Sequence, residues 1–262
     1  MDALPDAPLL RHDAAGVATL TLNRPRQYNA LSLPLLDALL DALALTAGDG
    51  SVRVVVIAGA GKAFCAGHDL AELQASRTPG HAAKVFERCS EVMLALARLP
   101  QPVIARVHGV AAAAGCQLVA QCDLAVSSTE ARYATSGINV GLFCATPAVP
   151  LSRNVGRKQA MAMLLTGEMI DAATALSHGL VNAVVEPSAL DAEIGRLAGS
   201  IIDKPAEAIA AGKRFFYRQL EQGLEPAYAS ATEAMACNLM TDAAAEGIAA
   251  FLAKRKPRWP SP

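Results

Sequence analysis

Residues 102–127, PVIARVHGVAAAAGCQLVAQCDLAVS, restrict the fold more than any other stretch. A β-rich run (Val103, Ile104, Val107) meets Gly109, where a missing Cβ lets the backbone turn sharply. Four alanines and Gly115 follow, then a short helix and a second strand. The chain must therefore bury a strand-turn-helix-strand unit whose turn carries nothing bulky. A helix start leaves unpaired N–H groups and a partial positive charge. Such donors, fixed before any charge develops, can hold an oxyanion, although close packing of a buried crossover would also select alanines.

A second turn has the same character. The β-branched run 52–58, VRVVVIA, suits a strand covered on both faces, and it leaves through small residues to Cys65-Ala66-Gly67-His68-Asp69 and a short helix at 70–73. Together the two turns could aim two backbone N–H groups at one oxygen, as acyl-transfer or enolate chemistry requires. Nucleotide loops are excluded. Gly59-Ala60-Gly61-Lys62-Ala63 lacks the upstream glycine and the Ser/Thr after lysine, and there is no GxGxxG.

Elsewhere the chain alternates strand and helix to about residue 185. Residues 1–10 hold two prolines without a period and read as a loose leader. Residues 17–23 alternate like a half-buried strand. Ser32 stands as an N-cap before a leucine-rich helix closed by Gly48 and Gly50. Residues 81–99 and 155–166 read as helices, 132–141 and 143–150 as loop, Asp171 as the cap of a short helix ended by Gly179, and 181–185 as a strand. From 188 onward only helices follow, at 188–203, 205–222, 226–240 and 242–254. That order implies an α/β core with a helical extension suited to assembly.

With 53% hydrophobic and 18% charged residues in 262, the chain can build a large core and is not disordered. A net charge of -1 gives no electrostatic reason to expect nucleic acid or an anionic membrane surface as partner. Apolar runs are interrupted before ~18 residues accumulate, and no secretory signal opens the chain, so a soluble, cytoplasmic protein is expected. The six cysteines (65, 89, 116, 122, 144, 237) form no CxxC and no zinc spacing with His. They are expected to be reduced and mostly buried, and no metal is expected.

Five runs, PRQYNALS (25–32), GKAFCAGHDL (61–70), PVIARVHGVAAAAGCQLVAQCDLAV (102–126), LLTGEMIDAATALSHGLVNAVV (164–185) and GIAAFLAKRKPRW (247–259), resemble the enoyl-CoA hydratase/isomerase, or crotonase, superfamily. They occur in order over nearly the full length. Two runs, AAGCQLVAQCDLAV and GINVGLFCATP, single out one group within it. The resemblance implies an α/β, crotonase-like (ClpP/crotonase) spiral of ββα units over residues 1–200. It also implies a helical oligomerisation region at 201–262, giving a homotrimer or hexamer. The substrate would be an acyl-CoA thioester of fatty-acid or related metabolism, with no cofactor apart from the coenzyme A carried by the substrate.

By that resemblance the thioester oxygen would sit between the backbone N–H groups of His68 and Ala114. Substrate contacts would come from Ala30, Ala66, His68, Asp69, Leu70, Ala114 and Asn139, the adenine lying near Ala66 and His68. Lys254, with Lys256, would reach the phosphates. The family's two glutamates, however, fall on Gln117 and Gly137. A neutral amide is no general base and glycine has no side chain, so ordinary hydratase activity is doubtful, while the resemblance still implies an enzyme of the lyase or isomerase kind. Asn139 and Cys144 could face the same pocket, with loop packing the simpler reading of both. His68 is expected to act through its backbone and Asp69 as an N-cap.

Two alternatives remain open on the sequence. Decarboxylation of the methylmalonyl-CoA type needs an oxyanion hole and few proton-transfer groups, and the GHD turn also resembles such decarboxylases. A non-catalytic acyl-CoA binder would need neither glutamate. A serine hydrolase has no GxSxG elbow to support it.

Overall fold

The computed structural model describes residues 7–259. It opens with an antiparallel hairpin, β1 (Leu9–Ala14) and β2 (Val17–Leu22), with Leu9 opposite Leu22. Ala15 and Gly16 both take positive φ (49° and 78°), the backbone a tight hairpin turn requires. The reading of 1–10 as a loose leader is thereby corrected, since Leu9 and Leu10 pair in a strand; residues 1–6 lie outside the described residues.

Next comes α1 (Leu33–Ala47), whose leucines 35, 36, 39 and 43 form its buried stripe. Ser32 sits at its N-cap but its side chain makes no capping bond; the Glu72 carboxylate accepts from Leu33 N instead, at 3.1 Å. The spiral then follows as repeated strand-strand-helix units. These are β3 (Val54–Gly59), β4 (Ala63–Cys65), α2 (Leu70–Ala75) and α3 (Pro79–Arg98), then β5 (Val103–Val107), β6 (Val110–Ala112) and α4 (Ala114–Gln121). The third unit holds β7 (Leu124–Ser128), β8 (Arg132–Ala134), α5 (Ala145–Asn154) and α6 (Arg157–Thr166). After it come β9 (Ile170–Asp171), α7 (Ala172–Ser177), β10 (Ala183–Val185) and four helices, α8 (Leu190–Ile202), α9 (Ala206–Gln219), α10 (Leu224–Leu239) and α11 (Asp242–Leu252).

Each unit sends one strand to each of two sheets. The larger runs β1-β2-β3-β5-β7-β10, parallel after the first pair, and the smaller runs β4-β6-β8-β9. The near-continuous apolar runs are explained by cover on both faces. Val55, Ile57, Val103 and Ala105 join the main core with α1, α3 and α4, whereas Val54, Val56 and Ile104 meet Leu190, Ile194 and Ala198 of α8.

Three sequence readings need correction. Residues 110–112 were expected in a turn, and 132–134 in a loop, yet they pair as β6 and β8 of the small sheet, which three-residue strands leave almost without a periodic signal. Residues 145–154 are a helix despite Pro147 and Pro150. Pro147 lies in the first turn, where no N–H is needed, and both prolines are buried with Leu151 as the helix packs on α4.

The last helices are tied to the core by a buried ion pair. Lys213 Nζ meets Asp123 at 2.6 Å and also donates to the carbonyls of Leu96 (2.8 Å) and Gln101 (3.0 Å), while Asp123 accepts from Tyr217 and from Val103 N. Breaking so enclosed a pair costs about 3–5 kcal/mol. All six cysteines are unpaired and five are buried. Among the described residues no helix is long and apolar enough to cross a membrane, and no group of three His, Cys, Asp or Glu could hold a metal.

Candidate active site

The 28–31 turn organises the first of the two bends. Tyr28 and Asn29 adopt left-handed backbone (φ 50° and 57°), and Asn29 is fully buried. Its amide donates to the carbonyls of Ala60 and Ala63, both at 2.8 Å, and its oxygen accepts from Arg24 N at 2.9 Å. From there Leu31 lies beside His68 as an isolated parallel bridge, Leu31 N donating to Gly67 O (2.7 Å) and Asp69 N to Leu31 O (3.1 Å). Alternate N–H groups of extended backbone point to opposite sides. The His68 N–H therefore faces away from Leu31, and it donates to no acceptor among the described residues.

The second bend enters α4. Ala113 N is held by Ala134 O at 2.8 Å, and Ala113 itself sits at φ 47°, ψ −116°, a strained conformation for a residue with a side chain. Ala114 is the first residue of the helix, and its N–H also has no acceptor among the described residues. The bends touch. Gly67, at φ 102°, has no room for a Cβ, which would fall 2.9 Å from Ala113 Cβ and 3.3 Å from Ala114 N. Only glycine at 67 lets the two bends pack against each other this closely.

Both bends line a cavity of about 240 Å³ together with Leu70, Leu73, Phe86, Val140, Leu142, Phe143 and Pro147. Its wall contains no carboxylate. The His68 ring packs edge-on to Phe86 (centroids 5.1 Å apart, planes at 77°), and neither ring nitrogen has a partner. Burial pushes its pKa down to about 4, so the ring is neutral at pH 7. Asp69 caps α2, accepting from Ala71 N and Glu72 N, and pairs with Arg24 at 2.8 Å. Burial pushes its carboxyl up, but Arg24 and the helix amides more than offset this and hold it below the ordinary range.

Of the residues expected at the site, Ala66, His68, Leu70 and Ala114 line the cavity and Asp69 braces it. Others are elsewhere. Asn139 donates to Gly167 O at 3.3 Å, fastening its turn to the end of α6. Ala30 is buried in the supporting turn, its carbonyl taken by Arg24, and Lys254 stands exposed after α11. Gln117 is 3% exposed, does not line the cavity and leaves its oxygen unpartnered. Gly137 does line it, but a Cβ there would fall 2.5 Å from Leu142 O and 2.7 Å from Cys144 Sγ. That position is filled as well as lacking a side chain. Cys144 lines the cavity too, and its sulfur accepts from Gly137 N at 3.2 Å.

Sequence reasoning did not find Arg24, Asn29 or the apolar wall. Asn29 lay within a recognised run and gave no sign beyond its polarity, while Phe86 and Leu73 read as ordinary core residues of two helices.

A spiral of ββα units is the fold of the crotonase class. The chain matches the enoyl-CoA hydratase/isomerase family over residues 12–262 and belongs to that family. Among its relatives, the mouse enoyl-CoA hydratase domain-containing protein 3, mitochondrial, is 47% identical over 244 residues, covering 93% of this chain and 81% of the relative. The human counterpart is 46% identical, covering 93% and 80%. The solved enoyl-CoA hydratase of Mycobacterium smegmatis superposes with a TM-score of 0.95 at 58% identity, covering 96% of this chain and 98% of that one. The human domain-containing protein 3 structure gives 0.93 at 44% identity, covering 96% and 100%. The group singled out by AAGCQLVAQCDLAV and GINVGLFCATP is thus the domain-containing protein 3 group. The expected cytoplasmic location is overturned, because the mouse and human relatives are mitochondrial by name.

Proposed function

We propose that the protein takes an acyl-CoA thioester and holds its carbonyl oxygen between the N–H groups of His68 and Ala114. The observation that carries this is the pair of acceptorless amides, brought together by Gly67, at the wall of an apolar cavity. Each donor is fixed before charge develops on the oxygen, and removing one such donor typically costs about 10²–10³-fold in rate. The cavity wall also argues against ordinary hydration. Adding water needs proton transfers worth about 10²–10⁴-fold each, and neither Gln117 nor Gly137 supplies one.

The reading favoured among reactions is decarboxylation of a malonyl-type thioester. The bond from Cα to the carboxylate breaks, its electron pair passes into the thioester as an enolate held by the two amides, carbon dioxide leaves, and Cα takes a proton from solvent. A wall without cations does not stabilise the departing carboxylate, which suits the loss. Assembly is read from the C-terminal region, 201–262, as a trimer or hexamer. This region leaves Leu224, Tyr228, Met235, Met240, Phe251 and Leu252 exposed, large apolar side chains that a partner copy would cover.

Incubation with crotonyl-CoA, a 3-enoyl-CoA and methylmalonyl-CoA, with products separated by chromatography, tests these statements. Carbon dioxide loss from methylmalonyl-CoA above the uncatalysed rate, with crotonyl-CoA unhydrated, is the expected result. Efficient hydration of crotonyl-CoA would contradict the account of positions 117 and 137. Binding without turnover on any of them would leave a non-catalytic binder.

A further inference from the structure

One reactive group on the cavity wall has no part in decarboxylation. Of the five buried cysteines only Cys144 lines the cavity, and its sulfur accepts from Gly137 N at 3.2 Å. That sulfur stands 2.7 Å from where a Cβ on Gly137 would lie, so it holds the space in which a side chain at 137 would begin. Burial raises the thiol's pKa and the Gly137 N–H opposes the rise, because a donor aimed at sulfur favours the thiolate. The thiol is not alone. The cavity it faces also holds the acceptorless His68 and Ala114 amides, and a His68 ring whose two nitrogens are buried without a partner. Two donors awaiting an oxygen and a nucleophile within one small cavity suit a carbon electrophile conjugated to a carbonyl.

We propose that Cys144 is a covalent acceptor for 2-enoyl thioesters, a proposal that rests on the acyl-CoA reading given above. With the carbonyl oxygen between the two amides, the double bond beside it is polarised and its β-carbon becomes the electrophile. The Cys144 sulfur forms a bond to that carbon, and the π pair shifts toward the carbonyl as an enolate held by the amides. Cα then takes up a proton in exchange for the one the thiol releases to water. The net step adds S–H across the double bond and consumes no oxidant or reductant. Decarboxylation would form an enolate of the same kind, so the same two donors serve both. Size favours the encounter. At ~30 Å³ per water-sized group, 240 Å³ takes on the order of eight such groups, so a β-carbon inside cannot lie far from the wall. Holding both reactants together replaces a bimolecular collision, an advantage that a thiol in solution lacks. The product is a thioether that blocks the cavity.

Incubation of the full chain with crotonyl-CoA, followed by an acid quench, intact-mass spectrometry and peptide mapping, tests the proposal. One crotonyl-CoA added per chain, on the peptide carrying Cys144, is the expected result, while the exposed Cys237 stays unmodified. Butyryl-CoA, which lacks the double bond, should bind in calorimetric titration and add no mass. The adduct should disappear in Cys144→Ser. In Ala114→Pro with Ala113→Gly it should form at least about tenfold more slowly, because one donor to the enolate is gone. Absence of an adduct at Cys144 while butyryl-CoA binds would overturn the thiol proposal alone, as would modification of Cys237 in preference to Cys144 or a rate unchanged by Ala114→Pro. Failure of crotonyl-CoA and butyryl-CoA alike to bind would instead defeat the acyl-CoA reading on which it rests.

Discussion

The two bends at Gly67-His68 and Ala113-Ala114 and the opposite wall at 136–144 face the same cavity but are built in opposite ways. The bends are over-determined. Asn29, the Leu31 bridge and the Ala134 carbonyl hold the backbone on either side, and the His68 and Ala114 amides have no acceptor among the described residues. The wall carries no carboxylate, since Gly137 has no side chain and Leu142 and Cys144 occupy the space where one would begin. On the reading proposed above, backbone donors and side-chain acids are separable within one family, and this chain would keep only the first.

The largest expected effect tests the bends. Ala114→Pro deletes one amide at a helix position where proline is accepted, made with Ala113→Gly so that the residue before proline tolerates its positive φ. Turnover of the accepted thioester should fall about 10²–10³-fold with the far-ultraviolet dichroism unchanged. A fall under about threefold would show that the Ala114 amide is idle.

His68 links bend to wall through pH. Its ordinary pKa is 6.5 and its folded value about 4, so the unfolded chain binds the proton more readily. Stability from this group is complete above pH 6.5 and is lost as pH falls toward 4, by about 3 kcal/mol at ~1.4 kcal/mol per unit. Denaturant titrations between pH 7 and pH 4 should show that slope, and His68→Phe should flatten it. An unchanged slope would mean that the ring is hydrated in the folded protein.

The wall makes a smaller prediction. Gly137→Ala should cost about 1–3 kcal/mol in urea denaturation, because backbone at Leu142 must move to admit one methyl group. Restoring glutamate at 137 would accordingly damage the loop before it supplied a base. Smallest is Ala113→Gly alone. Release of ~1–3 kcal/mol of strain, less ~0.5–1 for glycine entropy, should raise stability by about 1 kcal/mol.

The same contrast explains what could be read in advance. Long periodic elements such as α1 and α3, and the doubly covered run at β3, announce themselves because burial imposes a spacing on their apolar residues. Both bends were visible as glycine and alanine at strand exits. Invisible were β6 and β8, three residues each, and α5, where prolines oppose a helix that packing on α4 imposes. Asn139 was open between pocket and loop packing because sequence gives a turn's position but not the side its residues face; here its amide donates to Gly167 O. Gly137 read as an empty socket, and only coordinates reveal that a carbonyl and a sulfur already fill it.

The most direct test of the central claim is the carbon-13 resonance of a thioester carbonyl labelled in bound butyryl-CoA. Grip by both amides predicts a downfield displacement on binding to the native protein that shrinks in the Ala114→Pro, Ala113→Gly variant. A resonance that stays at its free position, or moves equally in both proteins, would contradict it.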